Sequence, residues 1–236
     1  MQTVILAGGK GTRIASVAGD LPKILVPVAG RPFVEHQFDL LRRCGYRDVL
    51  LSIGYRGALI RDHVGDGSRF GMRVAYVAED PDALKGTGGA LVHALDHLQD
   101  EFMLLYGDSY LPIDYRPVVA AYRASGLPAL MTVHRNRGRW DASNARIEGD
   151  RVVFYSKKCR PGEADFIDYG LGILRRDVIA SYRAAPIPLD LAVIYGKLVD
   201  AGNLAAFDVP ERFYEIGKPE GVAELESYLR GRRGDE

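Results

Sequence analysis

The sequence predicts an α/β fold whose parallel sheet carries helices on both faces. Three observations support this. Short apolar runs alternate with segments of helical spacing as far as Tyr106, the first and fourth runs end in glycine, and no linker, repeat or low-complexity tract interrupts the 236 residues. Strands buried on both faces read as unbroken apolar runs, and strand–helix alternation marks parallel crossover units. The length exceeds the soft prior of about 150 residues per domain without doubling it. Residues 1–236 therefore read as one domain, with a change of texture near residue 127.

The first run, Val4-Ile5-Leu6-Ala7, is closed by Gly8-Gly9 and reads as a buried strand feeding a loop. Pro32 opens a helix with Phe33, Val34, Phe38, Leu41 and Cys44 on its apolar side, and Gly45 stops it. Asp48 to Ile53 is a second strand, followed by a short helix carrying Leu59, Ile60 and Val64. Met72 to Ala78 alternates as a third strand, Gly89 to Leu98 has helical spacing, and Phe102 to Tyr106 is a fourth strand ending in "GDS". In such a sheet ligands bind at the carboxyl ends of the strands, the edge where both glycine-rich turns fall. Beyond Leu127, Ala129 to Val133 is a strand, and "ARIEGDRVVFYS" reads as a hairpin turning at Glu148-Gly149-Asp150. Asp190 to Ala201 and Glu220 to Leu229 have helical spacing, with strand-like residues from Val209 to Ile216 between them.

Charge narrows the function. Lys plus Arg equals Asp plus Glu at 31 each, so no overall field draws the chain to nucleic acid or an anionic membrane. Cys44 and Cys159 form no metal-type pair and suit a reducing, cytoplasmic setting. A first strand beginning at Thr3 leaves no room for a leader, and no apolar run approaches the roughly 20 residues that span a bilayer.

The most specific stretch is "LAGGKGTRIASVAGDLPK", at residues 6–23. Consecutive backbone N–H groups in a glycine-rich turn form a nest for phosphate oxygens, and glycine allows close approach. The pattern is not a Walker loop, because Lys10 is followed by Gly11 and no Gly-Lys-Ser/Thr stands at the right spacing. Nor is it a dinucleotide fingerprint: the third glycine is missing, and the second strand ends in Gly54-Tyr55 rather than an acid. What remains is G-G-x-G-T-R followed by Pro22-Lys23 and Pro27. With "LPKILVPVAGRP", "GTGGAL", "YGDS", "DYGLGIL" and "YEIGKPEG", this resembles the signature of the sugar-1-phosphate nucleotidyltransferases over nearly the whole chain. The pattern "LKGTGGAL" without a β-helical extension is most similar to the guanylyltransferases that act on D-glycero-D-manno-heptose 1-phosphate.

The resemblance implies a three-layer, Rossmann-like nucleotidyltransferase fold of GT-A-like type with a mixed central sheet, its nucleotide-binding half at about residues 1–126 and its sugar-binding half at about 127–236. It implies as partners a nucleoside triphosphate, GTP in the best-matching subgroup, and a sugar 1-phosphate, with guanylyl transfer to mannose 1-phosphate, or uridylyl or other nucleotidyl transfer, as the alternative. A sugar phosphate oxygen would attack the α-phosphorus in line and release pyrophosphate. Leu6, Ala7, Gly8, Gly9, Gly11 and Thr12 would cradle the triphosphate, Arg13 would hold the leaving groups, and Lys23 would meet the α-phosphate. Glu79 and the cluster Gly86, Thr87 and Gly88 would surround the base. Mg²⁺ is the implied cofactor, with Asp108 and Glu215 as its carboxylates, Glu215 standing where the family usually has aspartate. On the acceptor side, Lys157 or Lys158 would meet the sugar phosphate, while Asn144, Asp168, Tyr169 and Gly170 would lie along the sugar. The resemblance leaves a homodimer open.

Other features read as structural. Lys10 is a solvated loop cation. His93 and His97 lie four apart but lack the glutamate of H-E-x-x-H and a third ligand, so they are not a metal pair. Trp140 reads as packing against the hairpin. Two other functions stand beside the leading one: transfer to a non-sugar acceptor such as a molybdopterin or methylerythritol phosphate, which "YEIGKPEG" disfavours, and a nucleotide-sugar sensor without turnover, which the retention of Arg13, Lys23 and Asp108 disfavours.

Overall fold

In a computed structural model of the chain, residues 1–139, 142–160 and 162–233 are described, the side chains of Thr12, Ala15, Ser16, Arg232 and Arg233 excepted. Trp140 lies outside the described residues. In chain order the elements are β1 (Gln2–Ala7), α1 (Ala15–Ala18), β2 (Pro27–Val28), β3 (Arg31–Pro32), α2 (Phe33–Arg43), β4 (Asp48–Ile53), α3 (Gly57–Val64) and β5 (Arg73–Ala78). Then come α4 (Gly86–His93), β6 (Glu101–Tyr106), β7 (Ser109–Tyr110), α5 (Tyr115–Ser125), β8 (Ala129–Arg135), β9 (Ala145–Glu148) and β10 (Arg151–Tyr155). The last are β11 (Phe166–Arg175), α6 (Arg176–Ala180), α7 (Leu191–Asp200), β12 (Leu204–Asp208), β13 (Tyr214–Glu215) and α8 (Pro219–Arg233). Among the described residues, no helix is long and apolar enough to cross a membrane.

One mixed sheet of nine strands runs in the order β5-β4-β1-β6-β11-β8-β12-β10-β9. The first four strands are mutually parallel, and β11 lies antiparallel between β6 and β8. Successive residues of each inner strand feed opposite layers, as the two-residue period requires. Val4, Leu50 and Leu104 pack with Leu91, Ile179 and Ile194, under α4, α6 and α7. Ile5, Leu51 and Leu105 pack with Phe38, Ile60, Val118 and Leu225, under α2, α3, α5 and α8. Helices thus cover both faces, and the loops after the parallel strands gather at one edge.

Several expectations are corrected. The helix expected over Gly89–Leu98 begins at Gly86 and ends at His93; a 3₁₀ turn at Leu95–His97 follows, so His93 and His97 do not share a helix. His93 instead sits 3.1 Å from the Ala78 carbonyl. Of the strand-like residues from Val209 to Ile216, only Tyr214–Glu215 pair as a strand, β13; the longer strand β12 ends just before them at Asp208. The two longest elements with no counterpart in the sequence reading are α5, capped by Asp114 and ended at left-handed Gly126, and the ten-residue β11 at the centre of the sheet.

Candidate active site

The cleft at the carboxyl edge of β1, β4 and β6 is built by backbones in close approach. A Cβ on Gly107 would lie 2.8 Å from the Leu6 carbonyl oxygen, and one on Gly54 would lie 2.9 Å from that of Gly8, so only glycine fits at either position. Leu6, Ala7, Gly8, Gly9, Lys23, Glu79, Gly86, Thr87 and Asp108 all line this cleft of about 230 Å³. Ser52, Leu84, Tyr106 and Gly107 join them. The glycine turn after β1 and the acid after β6 therefore line one cleft.

At its floor the Lys23 ammonium donates to Asp108 Oδ2 at 2.7 Å, with the side chains 19% and 27% exposed. Lys23 opens a 3₁₀ turn over Lys23–Leu25, and its stem lies beside Gly11, whose φ is +61°. Asp108 is reached from a second side: its carbonyl accepts the Ile216 N–H at 2.9 Å, and β7 pairs with β13 so that Ser109 faces Glu215. Glu215 lies in an adjoining cleft with Arg13, Gly217 and Lys218. Arg13 and Asp108 converge, since a Cβ on Gly217 would be 3.9 Å from both Arg13 Nη2 and Asp108 Oδ2. The structure thus gathers Arg13, Lys23, Asp108 and Glu215 around the junction of two clefts. Two carboxylates beside an open polar cleft form an oxygen donor set suited to Mg²⁺, which takes one or two carboxylates and completes its shell with phosphate and water. Among the described residues no group of three or more His, Cys, Asp or Glu forms a self-sufficient metal cage.

Glu79 forms the far wall. It is 8% exposed and accepts the Lys85 N–H at 3.2 Å, and its Oε2 would lie 3.1 Å from a Cβ on Gly8. Burial pushes its carboxyl above the usual range, against the Lys85 hydrogen bond. Gly88 departs from expectation. Its N–H is taken by the Leu189 carbonyl at 2.9 Å, and it packs against Leu189 and Asp190 rather than lining the cleft. The Thr12 hydroxyl is outside the described side chains.

The acceptor-side residues come together by a bulge. Between Asp168 and Gly172 the register of β11 against β8 shifts, Gly170 takes φ +103°, and the Gly170 N–H folds back to Asp168 Oδ1 at 3.0 Å. Thr132 steadies the bulge, its hydroxyl donating to the Leu171 carbonyl at 2.7 Å. Asp168 Oδ2 accepts from the Tyr155 hydroxyl at 3.3 Å, and the Asp168 N–H donates to Asn144 Oδ1 at 2.8 Å. Burial raises the Asp168 carboxyl to about 6 despite the Gly170 and Tyr155 hydrogen bonds. Tyr169 does not belong to this group. Strand alternation turns its ring into the opposite layer, 1% exposed and edge-on to Phe213, so only its backbone could face a sugar. Of the two lysines, Lys157 places its ammonium 2.8 Å from both oxygens of Asp190, while Lys158 is exposed and forms no ion pair among the described residues.

Asp190, Tyr155 and Tyr106 are the residues the sequence reading did not assign to the site. Asp190 reads as a helix-starting acid, and its side chain does cap α7 by accepting the Ala192 N–H. The tyrosines carry no local signal; they surround Asp168 only because β6, β10 and β11 lie in one sheet.

A glycine loop at a strand edge, a lysine–carboxylate pair and an adjoining cleft lined by both cations and carboxylates fit a phosphate-handling α/β transferase. The chain matches the MobA-like NTP transferase domain over residues 3–185. It is 30% identical to the mannose-1-phosphate guanylyltransferase of Mycobacterium tuberculosis, across 100% of this chain and 69% of the relative. It is 35% identical to the D-glycero-alpha-D-manno-heptose 1-phosphate guanylyltransferase of Campylobacter jejuni, across 77% of this chain and 79% of the relative. The crystal structure of HddC from Yersinia pseudotuberculosis complexed with GMP-PN is similar with a TM-score of 0.78 at 25% identity, covering 97% of this chain and 99% of that one. Other relatives are named uridylyltransferases. The chain belongs to the MobA-like NTP transferase family and, within it, to the sugar-1-phosphate nucleotidyltransferases. It is an enzyme that joins a nucleoside triphosphate to a sugar 1-phosphate.

Proposed function

We propose that the enzyme transfers a guanylyl group from GTP to D-glycero-D-manno-heptose 1-phosphate, releasing pyrophosphate. The observation that carries the base assignment is Glu79, a buried carboxylate in the wall of the cleft. When ionised, it accepts two N–H donors side by side, and guanine offers N1–H and N2–H in that arrangement. Uracil and thymine present one N–H between two carbonyl oxygens, which a carboxylate repels. The heptose assignment is supported by the "LKGTGGAL" pattern and by the Campylobacter jejuni relative.

In this reading the sugar phosphate attacks the α-phosphorus as the bond to the bridging oxygen of pyrophosphate breaks, so no proton need be transferred. Catalysis is positioning and charge neutralisation. Lys23, held by Asp108 at 2.7 Å, keeps its remaining N–H donors for the α-phosphate oxygens, where negative charge gathers. Arg13 offers a planar fork to the departing pyrophosphate. Asp108 and Glu215 would hold Mg²⁺, which supplies charge neutralisation of the polyphosphate. Lys157 binds the sugar phosphate, and Asp168 with Asn144 binds sugar hydroxyls.

The test is pyrophosphate release from each of four nucleoside triphosphates with Mg²⁺ and a panel of sugar 1-phosphates. GTP with the heptose phosphate is expected to be fastest. Preference for mannose 1-phosphate would replace the acceptor, and preference for UTP would overturn the role given to Glu79.

A further inference from the structure

Asp190 joins the first turn of α4 to the loop after β10, two segments that the reaction must hold in register. Its Oδ1 accepts from Thr87 Oγ1 at 3.3 Å, from the Ala192 N–H at 2.9 Å and from Lys157 Nζ at 2.8 Å, and its Oδ2 accepts from Lys157 Nζ at 2.8 Å. Thr87 in turn accepts the Leu191 N–H at 2.9 Å. Thr87 lines the triphosphate-side cleft, and Lys157 stands at the end of β10 beside the Asp168 group. The carboxylate is itself fixed, because it caps α7 and because the Gly88 and Gly89 N–H groups bind the Leu189 carbonyl at 2.9 and 3.0 Å. Around this network lie the polar groups of Asp168, Tyr155, Tyr106 and Tyr195, and none of them carries a second positive charge that could replace Lys157.

We propose that Asp190 is a positioning residue: it presents the Lys157 ammonium to the acceptor phosphate at a fixed place relative to the first turn of α4, which lines the nucleotide cleft. The proposal rests on the reading of Lys157 as the acceptor-phosphate ligand. A lysine has a long stem with many rotamers, and on an exposed loop it sweeps a wide volume. Anchoring it to a carboxylate removes that freedom before the substrate arrives, and an ammonium with three donors can serve a carboxylate and a phosphate together. Because Asp190 also takes the Thr87 hydroxyl, the anchor is referenced to the helix start that lines the nucleotide cleft. Two anions that repel one another are thereby given one common framework.

The experiment is a double-mutant cycle on the full chain with GTP, Mg²⁺ and the acceptor that the wild type turns over. Asparagine caps helices as well as aspartate and can still accept from Thr87, so Asp190→Asn keeps the fold and removes only the negative charge that faces Lys157. Its KM for the sugar 1-phosphate is expected to rise about tenfold, with the KM for GTP within about twofold and thermal stability unchanged. In a Lys157→Ala background the same change is expected to add less than about twofold, since the anchored group is gone. Additive effects, or equal rises in both KM values, would overturn the proposal. A fall in the acceptor KM would also overturn it, by showing that Asp190 competes with the phosphate. If Lys157→Ala leaves the acceptor KM unchanged while the wild type is active, the role of Lys157 fails first, and the two failures are distinguishable.

Discussion

The two substrate sides of the molecule are built differently. On the nucleotide side, four parallel strands end together, and the cleft is shaped by glycines whose missing side chains let backbones approach. On the acceptor side, mixed strands and a bulge collect side chains from distant parts of the chain: Asn144, Tyr155, Lys157, Asp168 and Asp190. A phosphate nest made of backbone has few ways to vary, because every residue supplies the same N–H. A site made of side chains can be altered one residue at a time. On the proposed reading, a backbone frame with exchangeable side chains beside it fits relatives named for different acceptors.

The largest effect should come from the floor that both sides share. Lys23→Ala or Asp108→Ala is expected to lower kcat by about 10³-fold with the fold intact, measured as pyrophosphate release beside circular dichroism. Near-normal rates would remove the pair from the chemistry and leave the halves without a common centre.

Next is the base wall. Glu79→Gln loses two charge-assisted hydrogen bonds, and kcat/KM for GTP should fall about 10- to 100-fold, while that for UTP is preserved or rises. Because burial raises the Glu79 carboxyl, the wild-type KM for GTP should climb on acidification from a higher pH than an ordinary glutamate would set, whereas the glutamine variant stays flat. A change confined to the acceptor KM would contradict the division between the halves.

Asp168 sharpens the comparison through stability. Its carboxyl titrates near 6 in the folded chain, against an ordinary value of 3.8, so between those two pH values the folded state holds more protons than the unfolded one. Stability attributable to this group therefore falls as pH rises through that window, and the cost is fully present above it. Asp168→Asn should stabilise the protein at pH 7.5 by a couple of kcal/mol, on the order of the shift, and do nothing at pH 3. The same variant should raise the acceptor KM. A Tm unchanged at pH 7.5 would show that Asp168 is not held at a cost to the fold. The smallest effect is expected for Lys158→Ala, which should move the acceptor KM by less than about twofold because its exposed side chain is unanchored.

Much of the nucleotide side was legible because its determinants are local. A buried parallel strand is an apolar run wherever it lies, so the strand bounds Asp48–Ile53 read directly, and a glycine required by a close approach shows itself as glycine. Central β11 was less legible: "DYGLGIL" contains a bulge with two glycines, which breaks the two-residue period that identifies a strand. Gly88 and Tyr169 show the limit from the other direction. Both sit within motifs that resemble the family's, yet one is a packing glycine under Leu189 and the other a core ring against Phe213.

The amino-acid sequence by itself determined the chemistry on offer and the order of the early elements: a phosphate nest, a lysine, two carboxylates and the apolar runs that carry them to one edge. Only the tertiary structure decided the partnerships. Thr87 and Asp190 are separated by 103 positions and Lys23 and Asp108 by 85, and no local pattern encodes a contact between them. The physical reason is that spacing along a chain fixes which face a side chain takes on its own helix or strand, whereas meeting a distant residue depends on sheet order, on strand direction and on a bulge that turns a carboxylate toward its neighbours.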